Sequence, residues 1–195
     1  MSLKPMNKQA IIKDALAQIK EKTGIDFPFE NVIYGYDRYF DYMYEEKGQL
    51  IGGYYSHDDY IHLNPDIFKV DPTIVWTYRN LWKEGLVPRY KDTKKEMTEE
   101  EWVQYFLELQ ALKAIETVAH EVGHWIHQKY FHRKAMYVRC CSKYAQTNSK
   151  ENFAEAFAHY IVGDLKKDTA PYRRMQQICT TDLQNTRRWR LEHAS

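Results

Sequence analysis

The sequence predicts a single α+β domain in which strands precede helices. The chain has 195 residues, which is the length of one domain with a sizeable core. Segments rich in Tyr, Ile and Val, separated by Gly and Asp, lie between residues 31 and 64, whereas apolar residues recur at helical spacing after residue 98. We therefore divide the domain into an N-terminal helix with a strand-rich lobe (1–97), a central helical part (98–165) and a basic helical tail (166–195).

The N-terminal part is predicted to form one helix followed by a β-hairpin. Apolar residues recur at helical spacing at Ile11, Ile12, Leu16 and Ile19. Gly24 is expected to end this helix. Segments with strand character are Val32–Tyr36, Leu50–Tyr55 and Tyr60–Leu63. The last two are expected to pair as a hairpin that turns at His57–Asp59, and a further helix is expected at Thr73–Lys83.

The central part is predicted to consist of helices. A capping box at Thr98 begins the first one, which is expected to continue to about residue 130, either unbroken or interrupted near Gln110. Asn148 or Ser149 can cap a second helix, expected at Lys150–Leu165.

Composition excludes several classes of protein. The chain carries 28 Lys and Arg against 27 Asp and Glu, and a formal net charge of +1 argues against a dedicated nucleic-acid binder. No apolar run reaches about 18 residues, so no membrane span is expected. Lys13 and Asp14 interrupt the apolar stretch near the N-terminus, so no secretory signal is expected. Cys140, Cys141 and Cys179 form neither a disulfide framework nor a zinc knuckle, which favours a cytoplasmic location.

Residues 120–124 read His-Glu-Val-Gly-His, and this motif predicts a zinc site. Positions i and i+4 of a helix share one face, so His120 and His124 can supply two nitrogen ligands to one ion. Glu121 lies about 100° round the helix, where it can accept a proton from a water that the metal activates. A chain of this composition would contain the HExxH pattern about 0.02 times by chance. The alternative to a zinc site is that His120 and His124 are two surface histidines of an amphipathic helix. The opposite face is apolar, with Leu112, Ile115, Ala119, Val122 and Ile126.

A catalytic zinc ion needs a third protein ligand and an open fourth position, and the candidates lie on the next helix. Glu151, Glu155 and His159 share one face of it at i, i+4 and i+8. One carboxylate can bind the metal while the other accepts a hydrogen bond from a ligand histidine. The alternative is a solvated acidic face, which would more often carry Lys or Arg at i+4 than a second Glu.

Two further residues could supply the third ligand, but each fits less well. His127 follows His124 on the same face, yet ligands at i, i+4 and i+7 of a straight helix span about 10 Å, too far for one ion. No glycine turn follows His124, so His127 is expected either behind the ligands or facing solvent. Asp164 lies after Gly163, at the far end of the helix that carries Glu151.

The combination of HExxH with a following ExxxE helix resembles the gluzincin metallopeptidases. The segment ENFAEAF (residues 151–157), with a tyrosine seven residues before its first Glu, is most similar to the anthrax lethal factor and Pro-Pro endopeptidase group. The resemblance covers residues 111–165. It extends more loosely to the hairpin at 50–64, which would supply the edge strand along which such enzymes bind a peptide.

This resemblance implies a zincin-like fold and a set of residue roles. The fold would combine a small antiparallel or mixed sheet with an active-site helix and a following ligand-bearing helix. Zn²⁺ would be held by His120, His124 and Glu151. Glu155 would orient a ligand histidine by a hydrogen bond, and Tyr144 would stabilise the oxyanion.

These features lead us to expect a zinc-dependent metallopeptidase that acts on a peptide or protein substrate, with Glu121 as general base. Aromatic residues that could line its groove are Tyr54, Tyr55, Tyr60 and Trp125. The alternative is a non-catalytic zincin-like binding module, of phage or mobile-element origin, that contacts protein or nucleic acid through the basic tail. The basic residues of this tail are Lys166, Lys167, Arg173, Arg174, Arg187, Arg188 and Arg190, and Trp189 lies among the arginines.

Overall fold

A computed structural model describes residues 6–47, 51–56, 58–69, 99–131, 136–138, 145 and 148–193. These residues form an α+β fold in which helices dominate and one small sheet is present. The helices and strands are, in chain order, α1 (Lys8–Thr23), β1 (Val32–Ile33), α2 (Arg38–Lys47), β2 (Gly53–Tyr55), β3 (Ile61–Leu63), α3 (Glu99–Phe131), α4 (Ser149–Val162), α5 (Ala170–Gln177) and α6 (Leu183–Glu192). The predicted fold class is therefore confirmed at the level of α+β.

The sheet is mixed, and its strand order is β1-β3-β2. β1 runs parallel to β3, with Val32 opposite Ile61. β2 runs antiparallel to β3, with Tyr54 opposite His62, so the predicted hairpin is confirmed. Ile61 and Leu63 of β3 are buried while His62 between them is half-buried, as alternation along a strand requires. β2 lies at an edge of this sheet.

Helix α2 lies in the lobe that was predicted to be rich in strands, between the predicted strand segments Val32–Tyr36 and Leu50–Tyr55. Its sequence is RYFDYMYEEK, and Phe40 is its buried residue. The tyrosines favour strands in general, but the carboxylate of Asp37 accepts a hydrogen bond from the backbone N–H of Tyr39 at 2.9 Å. A side-chain acceptor at this place satisfies a free donor of the first helical turn and so favours a helix. The strand expected at Val32–Tyr36 is correspondingly short and ends at Ile33.

Helix α3 is a single unbroken helix, so the interruption considered near Gln110 does not occur. Its predicted apolar face lies in the core: Ile115, Ala119, Val122 and Ile126 are buried, and Leu112 is half-buried. The capping residue Thr98 and the helix expected at Thr73–Lys83 lie outside the described residues.

Helix α4 packs along α3, and its ends are marked by capping residues. Asn148 is the N-cap, and its side-chain oxygen accepts hydrogen bonds from the N–H groups of Lys150 and Glu151, both at 3.0 Å. Gly163 ends the helix in the left-handed conformation at φ +82°, which glycine adopts without steric penalty. The expected end at Leu165 was therefore wrong by three residues, because the glycine caps the helix at Val162 first.

The tail is helical, as expected, and consists of α5, a π-helical turn at Ile178–Asp182, and α6. It packs through Met175, Ile178 and Leu183, all of which are buried. Cys179 is a buried free cysteine, whereas Cys140 and Cys141 lie outside the described residues. None of the helices in the described part of the chain combines the length and apolar character that crossing a membrane requires.

Candidate metal centre

Two imidazole nitrogens meet on one face of α3. His120 and His124 are one helical turn apart, and their Nε2 atoms are 3.1 Å apart. The two rings are nearly perpendicular, at 81°, with centroids 4.7 Å apart. Both side chains are mostly buried, with 22% and 17% of their surface exposed.

A carboxylate from α4 joins this pair. Oε2 of Glu151 lies 3.2 Å from Nε2 of His120 and 3.4 Å from Nε2 of His124. Among the residues that the structure describes, these three form the group of His, Cys, Asp and Glu side chains whose candidate ligand atoms all lie within 4.8 Å of one another. The three atoms therefore form a nearly equilateral triangle.

This triangle fits the requirements of a tetrahedral zinc ion. Ligands at about 2.0–2.1 Å in tetrahedral geometry are separated from one another by about 3.3–3.4 Å, close to the sides of the triangle. Two imidazoles and one carboxylate are a donor set that zinc accepts and that magnesium and calcium, which prefer oxygen ligands, do not. The same side chains line a cavity of about 310 Å³, so a fourth position can be reached by water or substrate.

Close packing between α3 and α4 places the carboxylate opposite the histidines. A Cβ atom at Gly123 would lie 3.1 Å from Cα of Ala154 and 3.2 Å from the ring of Phe157. The absence of a side chain at Gly123 thus lets the two helices approach. The N-cap at Asn148 orders the first turn of α4, which contains Glu151. The glycine of the HEVGH motif and the cap of the next helix together position the third donor.

Glu121 lies beside this centre, is 4% exposed and contributes to the cavity lining. Burial raises the pKa of its carboxyl group, and the nearby His120 and His124 oppose that rise. The strand β2 runs against this carboxylate: a Cβ atom at Gly53 would lie 3.0 Å from Cγ of Glu121 and 2.8 Å from the carbonyl oxygen of His62. Glu121 is therefore enclosed between its own helix, α3, and the edge strand β2.

Interactions within the centre favour the ionised form of Glu151 and the protonated form of His120. Burial raises the pKa of Glu151, but hydrogen bonds from His120 and His124 outweigh this effect and hold the pKa well below its usual value. Burial lowers the pKa of His120, yet the carboxylates of Glu151, Glu121 and Glu155 raise it overall. Glu151 is thus ionised at neutral pH, as a metal ligand must be.

Glu155 lies one turn after Glu151, next to the imidazole of His159. Its Oε1 is 3.7 Å from Nε2 of His159, and Oε1 of Glu116 is 3.8 Å from the same atom. Asp164 faces the other ring nitrogen, with 3.2 Å between its Oδ2 and Nδ1. The charge of Glu155 reaches His120, since it raises the pKa of that residue. A hydrogen bond from a ligand histidine to Glu155 stays a prediction.

Of the two remaining candidates, His127 and Tyr144, the structure locates His127. His127 is 2% exposed and stacks on Phe153, with ring centroids 5.0 Å apart, so it does not face solvent. It lies beside the ligands, where it lines the cavity. Tyr144 lies outside the described residues, and its role in stabilising an oxyanion stays a prediction.

Aromatic residues form one wall of the cavity. Tyr54 and Tyr55 were expected there, and both line it. Tyr39 and Met43 of α2 also line it, and we missed them because the sequence did not predict that helix. Trp125 instead packs edge-on against Phe27 in the core, with ring centroids 5.0 Å apart. Gly53 was missed as well, because its contribution lies in having no side chain.

Comparison of the chain with protein-family models, with curated proteins and with solved structures gave no match. The geometry of the centre is therefore the basis of the functional proposal.

Proposed function

We propose that the protein is a zinc-dependent metallopeptidase of the gluzincin type, with a zincin-like fold. The observation that carries this proposal is the convergence of His120, His124 and Glu151 on one point beside the buried Glu121. A structural zinc site has four protein ligands, whereas a catalytic site has three and an accessible fourth position. The described centre offers three ligands and a cavity, which favours catalysis over a structural role.

The roles of the side chains follow from their chemistry. His120, His124 and Glu151 would hold the ion. When bound, zinc supplies a Lewis acid that polarises a carbonyl group and lowers the pKa of water towards about 7. Glu121 would accept a proton from the attacking water and return it to the leaving amine. Its raised pKa makes it a stronger base than a solvated carboxylate.

The edge strand β2 is the proposed docking edge for the substrate. Among the described strands it pairs with β3 alone, and it borders the cavity through Gly53, Tyr54 and Tyr55. An extended peptide can add to such an edge by main-chain hydrogen bonds, with side chains alternating in direction. A peptide bound in this way would pass between β2 and the metal centre.

A binding module that uses the basic tail is the second candidate, and Trp189 is the observation that favours it. This indole is 58% exposed and stacks on His193, with ring centroids 4.7 Å apart. An exposed aromatic among arginines can stack on a base. Other tail residues act within the fold, however: Arg187 donates to the carbonyl of Gly24 at 3.0 Å, and Arg190 lies 5.6 Å from the ring centroid of Tyr130. We therefore favour the enzyme.

The test compares two variants of the centre. Glu121→Gln should retain about one zinc per chain yet lose at least about 100-fold in hydrolysis of a peptide library, because the general base is removed while the ligands remain. His124→Ala should lose both zinc and hydrolysis, because two ligands cannot hold the ion. Metal analysis of purified protein and mass spectrometry of the digested library measure both effects.

Glu108→Gln is the matched control, since Glu108 is an exposed glutamate of the same helix whose side chain accepts from Gln104. It should behave as the wild type. Peptide cleavage by Glu121→Gln at the wild-type rate would contradict the assignment of the base. Salt-dependent nucleic-acid binding by a wild type that neither holds zinc nor cleaves any peptide would support the second candidate.

A further inference from the structure

Asp59 attaches the connection between β2 and β3 to helix α3. This residue has φ +70°, a left-handed conformation that is uncommon outside glycine and that Asp and Asn tolerate better than most residues. Its backbone carbonyl accepts a hydrogen bond from the side-chain amide of Asn31 at 3.1 Å. The backbone conformation and this bond direct the carboxylate of Asp59 towards α3.

Two residues of α3 donate to that carboxylate. The indole N–H of Trp125, next to the ligand His124, donates to Oδ1 at 2.8 Å. The ammonium group of Lys129, one turn further on, donates to Oδ2 at 3.1 Å and lies 4.8 Å from the ring centroid of Trp125. Trp125 is 5% exposed, and a buried indole N–H without an acceptor is costly. The contact therefore holds the hairpin to the helix at a defined place.

We propose that Asp59 is a positioning residue that holds the edge strand β2 at its working distance from the metal centre. This inference rests on the proposed function, since it assigns β2 as the edge that binds the substrate. β2 has three residues, and a strand of that length has little stability of its own. The Asp59 contacts add a fixed point beyond its end, while Gly53 at its start lies against Glu121.

The consequence for catalysis is preorganisation. When a peptide adds to a strand that is already ordered, binding spends no free energy on ordering that strand. When the strand is ordered for only a fraction of the time, the apparent affinity for the peptide is reduced by that fraction. The proposed metal ligands lie on α3 and α4 and not on the hairpin itself. Loss of the Asp59 contacts should therefore weaken substrate binding and leave both zinc binding and the chemical step intact.

Asp59→Gly removes both contacts with α3, together with the hydrogen bond that the hydroxyl of Tyr55 donates to Oδ1 at 3.5 Å. It does so without backbone strain, because glycine adopts a positive φ freely. Lys129→Met removes one contact from the helix side and leaves the hairpin sequence unchanged. Asp26→Gly is the matched control, since it removes a carboxylate that pairs with Lys20 at 2.7 Å and takes no part in the cavity lining. Zinc affinity is measured by competition with a chromophoric chelator, and amide hydrogen exchange is followed in the zinc-free protein.

For Asp59→Gly we expect KM to rise about tenfold while kcat and zinc affinity stay within about twofold of the wild type. Amide exchange should accelerate selectively in β2 and β3. Lys129→Met should shift both quantities in the same direction by a smaller factor, and Asp26→Gly should shift neither.

Unchanged exchange in β2, or a fall in kcat with KM unchanged, would overturn the inference. Accelerated exchange throughout the chain together with weaker zinc binding would also overturn it, because that result indicates a general structural role. Failure of the proposed function is a separate result. A wild type that neither bound zinc nor cleaved peptides would contradict the proposed function, whereas the faster amide exchange in β2 of Asp59→Gly would still be observed in the zinc-free protein.

Discussion

At the scale of single residues, Gly53 controls how closely the edge strand β2 can approach Glu121, the proposed general base. A Cβ atom there would lie 2.8 Å from the carbonyl of His62 and 3.0 Å from Cγ of Glu121, so Gly53→Ala must displace the strand. We expect hydrolysis to fall at least about tenfold, since small misplacements in an active site have large kinetic effects. Zinc content should be retained because no ligand is altered, and a peptide assay with metal analysis measures both.

Gly35→Ala is the control for this substitution. A Cβ atom at Gly35 would meet no heavy atom within 4 Å, so the same chemical change should leave hydrolysis and zinc content as they are. Equal activity of Gly53→Ala and the wild type would contradict the close approach of β2 to Glu121.

The same scale shows what a sequence can reveal about a site. His120 and His124 were predictable because a helix of fixed pitch brings i and i+4 together whatever surrounds it. Helix geometry alone left the choice between Glu151 and Glu155 open, and the family resemblance favoured Glu151. The position of each carboxylate relative to α3 depends on the packing of the two helices, which the sequence pattern does not contain. Gly53 acts through the space that it leaves, and no pattern of residue types marks such a position.

At the scale of elements, the N-cap of α4 orders the turn that carries the proposed metal ligand Glu151. Asn148 accepts from the N–H groups of Lys150 and Glu151, so Asn148→Ala should loosen the turn that carries Glu151. Loss of such a cap costs about 1 kcal/mol, which corresponds to about a fivefold weaker zinc affinity if the turn must be ordered on binding. Competition with a chromophoric chelator measures this affinity, and urea unfolding measures stability.

Thr169→Ala removes the corresponding N-cap of α5, because the hydroxyl of Thr169 accepts a hydrogen bond from the N–H of Tyr172 at 3.4 Å. It should lower stability without changing zinc affinity. If both variants bound zinc equally well, the cap of α4 would have no part in ordering the ligand.

The elements also differ in how well their sequences predict them. α4 was predictable because a capping residue and an apolar face agree with each other, although the prediction ran past the terminating Gly163 to Leu165. α2 was not, because its tyrosines favour a strand while the hydrogen bond to Asp37 favours a helix, and the local contact prevails. The pairing of β1 with β3, which are distant in sequence, depends on contacts that no local pattern contains.

At the scale of the whole molecule, the proposed ion would join two helices that carry much of the core. A ligand that binds only the folded state stabilises it by about 2.7 kcal/mol at 100 times its Kd. For a chain of this length we therefore expect zinc to raise the Tm by about 5–10 °C. Differential scanning calorimetry with and without zinc measures the shift.

Two variants test whether the shift comes from the described centre. Glu151→Gln should abolish most of it, because a neutral amide is a poor zinc ligand. Glu121→Gln should retain it, since that residue binds no metal in the proposal. A wild type whose Tm is indifferent to zinc would contradict the metal centre.

Residues that come far later in the chain help to hold the end of α1. Lys22 donates to the carbonyls of Tyr160 and Ile161, at 2.9 and 2.7 Å, and Gln184 donates to the carbonyl of Thr23 at 2.7 Å. During synthesis α1 leaves the ribosome before any of these partners exists, so these hydrogen bonds can form only after the last helices have been translated. Contacts between such distant residues slow folding, because the chain must close a long loop before they can form.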